Sequence, residues 1–361
     1  MIRGFLFFGL LLCLAACQGN TNLISTINGD EVNQVELDRF IQRQIDSLKI
    51  AGISVAIIRE NKVVYQNEFG FKNLSTKEEC TTKTIFEACS LSKPVFAYFV
   101  MLQVEKGILD LDIPLYKYLP HKDLENNPYH KLITARMVLN HSSGLPNWRE
   151  NTNGELKILF EPGTAFGYSG EGYQYLKDVL NHLLDVDDEG LNELFQIEVV
   201  KPLKLNFMQF TWKDNFAPRK AFGHRNAIPT DNGPVLLNDR DDTFGAGYSL
   251  HTTASDYANF LIQLMSKSEN STKIAEQLLL PQYNMPHEED ELHRSLAFPI
   301  KRVNNDFRYY HSGNNGDYRA YCHFYKNLGY GIVIFSNSDN LFSSGCAQKI
   351  IEFLGDKWYY V

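Results

Sequence analysis

Strand patterns stand at both ends of this chain and helical patterns fill its middle, an order that constrains the fold more than any other feature. Near the start, Ile53-Ser54-Val55-Ala56-Ile57-Ile58 and Val63-Val64-Tyr65 are rich in β-branched and aromatic residues and flank the polar Glu60-Asn61-Lys62. That arrangement predicts a hairpin. Near the end, residues 307–311, 318–325 and 330–336 repeat the pattern, with Lys326-Asn327-Leu328-Gly329 as a tight turn. Between Lys93 and Leu237 the apolar spacing is mainly helical. Leu37, Phe40, Ile41, Ile45 and Leu48 form the stripe of a first amphipathic helix, and residues 343–359 read as a last one. The expected fold class is therefore α+β: a central antiparallel sheet built from both termini, flanking helices, and an inserted, mainly helical lobe at roughly 94–237.

The first residues carry a different signal. Arg3, a short apolar stretch over 4–12 and the small residues before Cys17 have the order of an export signal. The stretch is shorter than the about 20 residues a spanning helix requires. Leu14-Ala15-Ala16-Cys17 resembles a bacterial lipobox, in which the cysteine is lipidated and becomes the mature N-terminus. The expected division is a signal at 1–16, a tether at 17–33 and one domain at 34–361. Each buried acyl CH₂ adds about 0.8 kcal/mol of membrane affinity, so a lipidated Cys17 predicts a protein held at a bacterial envelope surface, facing the periplasm or the exterior. The net charge of −8 has no basic cluster to offset it, which argues against nucleic acid as a partner. Cys80, Cys89, Cys322 and Cys346 contain no C-x-x-C spacing and read as small buried hydrophobes. No metal or other cofactor is called for.

Ser90-Leu91-Ser92-Lys93 opens the helical region. Residues three apart on an α-helix differ by roughly 60° in direction and about 4.5 Å in height, so Ser90 and Lys93 share a face. A serine hydroxyl becomes nucleophilic when a neighbouring base takes its proton, and a lysine amine desolvated by burial can be that base. The run that follows, Pro94-Val95-Phe96-Ala97-Tyr98-Phe99-Val100-Met101-Leu102, is apolar almost all round and predicts a buried helix. Pro94 fits only in a first turn, which puts Ser90 at the helix start, where backbone dipoles favour a developing anion.

These segments resemble the serine β-lactamase and penicillin-binding family, most closely its class C-like branch of D-Ala-D-Ala carboxypeptidases and esterases. The resemblance runs from Gly52-Ile53-Ser54-Val55-Ala56-Ile57 through the Ser90 segment. It continues in Leu109-Asp110-Leu111-Asp112, in the signature Asn140-His141-Ser142-Ser143-Gly144-Leu145-Pro146, and in Gly245-Ala246-Gly247-Tyr248-Ser249-Leu250. It implies that Tyr168, in Tyr168-Ser169-Gly170, is the phenol that relays protons to the leaving group. Gly170 stands where the family has an asparagine that contacts a substrate amide. The resemblance also identifies His311-Ser312-Gly313 with the family's K-T-G strand. A histidine there donates a hydrogen bond and is cationic only at mildly acidic pH, a weaker grip on a carboxylate than lysine. The backbone N–H groups of Asn314 and Ser90 are then implied as the oxyanion hole.

Rival motifs are poorer. Gly167-Tyr168-Ser169-Gly170 nears a nucleophile elbow, but Glu171 takes the place of its last glycine. His287-Glu288 and His293 lack the H-E-x-x-H spacing of a zinc site. Glu189-Gly190-Leu191-Asn192 reads as the start of a surface helix, and Asp239-Arg240-Asp241-Asp242 as a solvated loop. The expectation is a serine hydrolase that forms an acyl-enzyme on Ser90 with a small-molecule or peptidoglycan-derived amide, lactam or ester. The alternative is a non-turnover binder or sensor of cell-wall fragments or β-lactams on the same fold.

Overall fold

The computed structural model describes residues 23–230, 243–266, 269–284 and 292–359. Its sheet has nine strands. From the N-terminal side come β1 (Gly52–Arg59), β2 (Lys62–Asn73) and β3 (Glu78–Glu79). From the C-terminal side come β4 (Tyr283–Asn284), β5 (Leu292–Arg294), β6 (Pro299–Val303), β7 (Asp306–Asn314), β8 (Arg319–Tyr325) and β9 (Tyr330–Ser336). The order across the sheet is β4-β5-β6-β7-β8-β9-β1-β2-β3, every neighbour antiparallel. The two ends of the chain meet at β9 and β1, where Val333 lies opposite Ala56 and Ile334 opposite Val55.

Both faces of the sheet are covered, which is why β1 and β9 read as continuous apolar runs rather than alternating ones. Ile53, Val55, Ile57, Ile332 and Ile334 point into one core with α1 (Gln34–Leu48) and α8 (Cys346–Phe353). Ala56, Ile58, Val333 and Phe335 point into the larger core on the other side. That core also receives α2 (Ser92–Glu105), α3 (Ala135–Leu139), α4 (Glu171–Leu184), α5 (Asp188–Phe195), α6 (Ala254–Met265) and α7 (Glu269–Leu279).

Two elements differ from the sequence reading. The last helix is α8 alone. The chain leaves it at Leu354 and Gly355 (φ 79°), and Arg308 of β7 then hydrogen-bonds Asp356 and the carbonyl of Lys357. α5 is not simply a surface helix, since it buries Leu191 and Phe195 while Glu189 pairs with Lys213. Cys80, Cys89, Cys322 and Cys346 are all buried and unbridged. Cys17, the segment 1–16, residues 239–242 and His287-Glu288 lie outside the described residues.

Candidate active site

Ser90 lies in a 3-10 turn, Cys89–Leu91, that runs directly into α2. The preceding Cys89 has φ 51°, a left-handed conformation that costs a non-glycine residue roughly 1–2 kcal/mol. Strand β7 packs against this turn. A Cβ on Gly313 would stand 2.7 Å from Cys89 Cβ, 2.9 Å from the carbonyl oxygen of Ala88 and 3.0 Å from the Ser90 nitrogen. Only glycine permits that approach, and it brings the backbone at Gly313 and Asn314 alongside the Ser90 amide.

A buried polar network supports the same junction. Glu87 accepts from Lys220 Nζ at 2.9 Å and from Asn315 Nδ2 at 2.7 Å, and Lys220 also reaches Tyr318 Oη at 2.8 Å. Asn315 donates a further bond to the carbonyl of Tyr248. Burial lowers the Lys220 pKa against the opposing pull of Glu87. The loop after β7 is thereby tied to the strand that leads to Ser90.

Lys93 is 1% exposed. Within the apolar helix that encloses it, its Nζ donates to the carbonyl of Gly247 at 2.8 Å. A Cβ on Gly247 would come within 3.1 Å of that nitrogen. The amine stands 4.6 Å from the centroid of the Tyr168 ring and 5.5 Å from that of Tyr173.

His141, absent from the sequence-derived site, holds Tyr168 in place. Its ring stacks on Tyr168 at 4.4 Å with planes 26° apart. Its Nδ1 accepts the N–H of Ser169 at 3.0 Å, and its carbonyl accepts the N–H of Gly167 at 2.8 Å. Burial, then the charges of Arg294 and Lys93, push its pKa well below the ordinary histidine value, so the ring is neutral. Ser169 is fully buried, donating to the carbonyl of Pro146 and accepting from Gly172 N–H, which leaves no nucleophile there.

His311 requires a correction of its expected chemistry. Its pKa is likewise driven far down by burial, then by Arg294 and Lys93, so it is uncharged across the physiological range. Its Nδ1 lies 2.8 Å from the carbonyl oxygen of Ser312, which assigns the proton to Nδ1. The buried Nε2, without a partner, is then an acceptor rather than a donor. The ring does not hold a carboxylate by charge.

Gly170 has a cause in a neighbour. A Cβ there would lie 2.6 Å from Trp148 Cη2, 2.7 Å from Cζ2 and 2.8 Å from the carbonyl oxygen of Asn147. That same carbonyl takes the N–H groups of Gly170 and Glu171. The indole thus fills the space an asparagine side chain would need, and it meets Tyr248 edge to face at 5.6 Å.

Ser90, Tyr168, His311, Ser312, Gly313 and Asn314 line one cavity of about 400 Å³, walled also by Trp148, Tyr248 and Arg294. Lys93 stands behind Tyr168 and does not line it. Every sequence-derived site residue among the described ones is thus at this junction. Arg294 has no signal in the sequence; His141 stands within the Asn140–Pro146 signature and Trp148 just beyond it, and neither has a site role in the sequence reading. A larger cleft of about 650 Å³ beside Asp112 and Arg136 contains no serine, histidine or lysine.

A serine and a buried lysine one turn apart, packed against the interior strands β7 and β8 of a two-faced antiparallel sheet, are the arrangement of a serine-hydrolase-type fold. The profile of the family described as Beta-lactamase matches residues 37–355, and the chain belongs to that family. Protein flp of Staphylococcus aureus (strain N315) is 22% identical over 354 residues, covering 89% of this chain; the chain spans 66% of that relative's length. Penicillin-binding protein 4* of Bacillus subtilis (strain 168) is 32% identical over 138 residues, 33% of this chain and 29% of that protein. The octameric penicillin-binding protein homologue from Pyrococcus abyssi superposes with TM-score 0.73 at 22% identity, over 90% of this chain and 78% of its own. D-alanine carboxypeptidase AmpC from Burkholderia cenocepacia gives 0.71 at 17%, over 89% and 99%. These structures establish the β-lactamase-like fold.

Proposed function

We propose that the protein is a serine hydrolase of the class C-like branch that works through an acyl-enzyme on Ser90. The observation that carries the reading is the convergence of Ser90, Tyr168 and the Gly313–Asn314 backbone on one cavity, with the Lys93 amine 4.6 Å from the Tyr168 ring. Lys93 takes the Ser90 proton as Oγ bonds to the substrate carbonyl carbon. The N–H groups of Ser90 and Asn314 receive the developing oxyanion. As the bond to the leaving group breaks, Tyr168 gives that group a proton and recovers one from the Lys93 ammonium. A water then attacks the acyl carbon and loses its proton to the same pair, which passes it to Ser90 Oγ as the acyl C–O bond breaks and the acid leaves.

Within the class, Trp148 supports carboxylic esters over acylated peptides. Its ring occupies the space of the amide clamp that Gly170 lacks, and it gives that wall an apolar aromatic surface. The protein is further proposed to be a lipoprotein anchored through Cys17 at the bacterial envelope surface, on the strength of the Leu14-Ala15-Ala16-Cys17 sequence. Steady-state turnover of 4-nitrophenyl esters, nitrocefin and D-Ala-D-Ala peptides tests the reading. Multiple turnover is expected, with esters the best substrates. A single slow acylation without turnover would support the sensor of cell-wall fragments instead.

A further inference from the structure

Trp148 lines two spaces: the Ser90 cavity of about 400 Å³, and a second cleft of about 360 Å³ shared with Arg149, Glu171, Gln174 and Thr243. Among the described residues no other is common to both linings, so Trp148 is the partition between them.

The start of α4 holds this partition by both of its chain neighbours. Before it, the carbonyl of Asn147 takes the N–H groups of Gly170 at 2.9 Å and of Glu171 at 3.0 Å. After it, the Glu171 carboxylate takes three bonds from Arg149: the backbone N–H at 2.9 Å and Nε at 3.1 Å on Oε1, and Nη2 at 3.0 Å on Oε2. Nη1 of the same guanidinium reaches Asp123 at 3.1 Å. The Glu171 side chain is only 10% exposed, and a two-oxygen fork sheltered from solvent is among the stronger pairs a protein makes. A glutamate whose only task was to begin a helix would need no partner in another segment, because the helix N-terminus already favours its charge.

The second cleft gives a released indole somewhere to go. Gln174 lines it with a buried Oε1 that has no hydrogen-bond partner, an acceptor suited to the indole N–H, which can only donate. With the clasp closed, the indole stays over Gly170 and against Tyr248 at 5.6 Å, and the Ser90 cavity ends there.

We propose that Glu171 and Arg149 are positioning residues that hold Trp148 as the size limit of the Ser90 cavity, so that the pair selects esters whose group on that side is short. The inference rests on the reading that Ser90 turns over esters in that cavity.

Two ester pairs lengthen the substrate on either side of the scissile bond: 4-nitrophenyl acetate against the octanoate, and phenyl acetate against biphenyl-4-yl acetate. In one pair, Trp148→Ala should raise the long-to-short ratio of kcat/KM by roughly 10- to 100-fold, and Glu171→Ala and Arg149→Ala each by roughly 10-fold. Adding Glu171→Ala to Trp148→Ala should move the ratio no further, because both act through one ring. A ratio unmoved in both pairs by Glu171→Ala and Arg149→Ala, or moved again in the Trp148→Ala background, would overturn the proposal. A second arm needs no substrate. The chain has three tryptophans, so with Trp212→Phe and Trp358→Phe in place the fluorescence reports Trp148 alone. Acrylamide should quench it more steeply in Glu171→Ala and Arg149→Ala, with emission shifted to the red. That result supports the clasp even if every ester is inert. Unchanged quenching and emission would overturn it and leave acylation at Ser90 untouched.

Discussion

Gly170 shows how much one residue can carry. By sequence it is a missing asparagine; in the structure it is the residue whose lack of a Cβ makes room for Trp148. Gly170→Ala should cost about 1–3 kcal/mol of stability, the usual range for forcing atoms into a packed site, unless the indole moves. Gly170→Asn alone should impair both folding and turnover, while Gly170→Asn combined with Trp148→Ala should recover part of the lost stability, the Asn147 carbonyl still standing 2.8 Å from the new Cβ, and shift preference from aryl esters toward acylated peptides. Thermal melts and the ester-to-peptide ratio of kcat/KM check both, and an unchanged ratio in the double variant would refute the steric account. At Lys93, replacement by methionine keeps the buried volume and removes the base, so kcat should fall about 10²–10⁴-fold with little loss of stability. His311 yields a pH statement. Its folded pKa lies far below 6.5, so the kcat/KM profile between pH 6 and 8 should show no inflection that His311→Gln removes.

At the level of elements, catalysis depends on how closely β7 approaches the turn before α2. Gly313→Ala puts a methyl 2.7 Å from Cys89 Cβ and 3.0 Å from the Ser90 nitrogen, so the strand must retreat. Loss of an oxyanion donor costs about 10²–10³ in kcat, and Gly313→Ala should approach that figure with KM little changed. Glu87→Gln leaves Lys220 buried without its counter-charge; breaking such a pair costs about 3–5 kcal/mol and should appear as a lowered Tm. Much of this scale was legible beforehand. β-Branched and aromatic enrichment and turn chemistry located both hairpins, and the all-apolar run after Ser90 announced a buried helix. What could not be read were contacts between segments far apart in the chain. Nothing around His293-Arg294-Ser295 marks the arginine as buried, because its burial comes from Phe166 and Tyr168, more than a hundred positions away. The last helix was overdrawn for a related reason: Arg308 captures Asp356 and ends a pattern that local periodicity would have continued.

On the scale of the whole molecule, the sheet separates two cores, and buried imidazoles tie both to pH. His323 is fully buried, with Nδ1 2.7 Å from Arg308 Nη2 and Nε2 2.9 Å from Asp356. Burial, then Arg308, lowers its pKa to about 4, and His251 is brought by burial and Lys220 to about 3. Their folded values lie below the unfolded value near 6.5, so between those limits the unfolded chain binds more protons. Stability is complete above pH 6.5 and is lost as pH falls toward 4, by up to about 1.4 kcal/mol per pH unit for each imidazole. The Tm should therefore drop between pH 7 and 5, and His323→Gln should make that slope shallower; a flat profile would contradict the buried-neutral assignment. The two-ended sheet has a matching consequence, since β9 and β1 join the termini through the centre of both cores.

The claim on which the rest depends is that Ser90 becomes acylated. Incubation with an activated 4-nitrophenyl ester or a β-lactam, followed by peptide mass spectrometry, measures it directly. An adduct of the acyl mass on the peptide that carries Ser90, absent from Ser90→Ala and strongly slowed in Lys93→Met, is the predicted result. Hydrolysis that persists in Ser90→Ala, or an adduct on another residue, would contradict it.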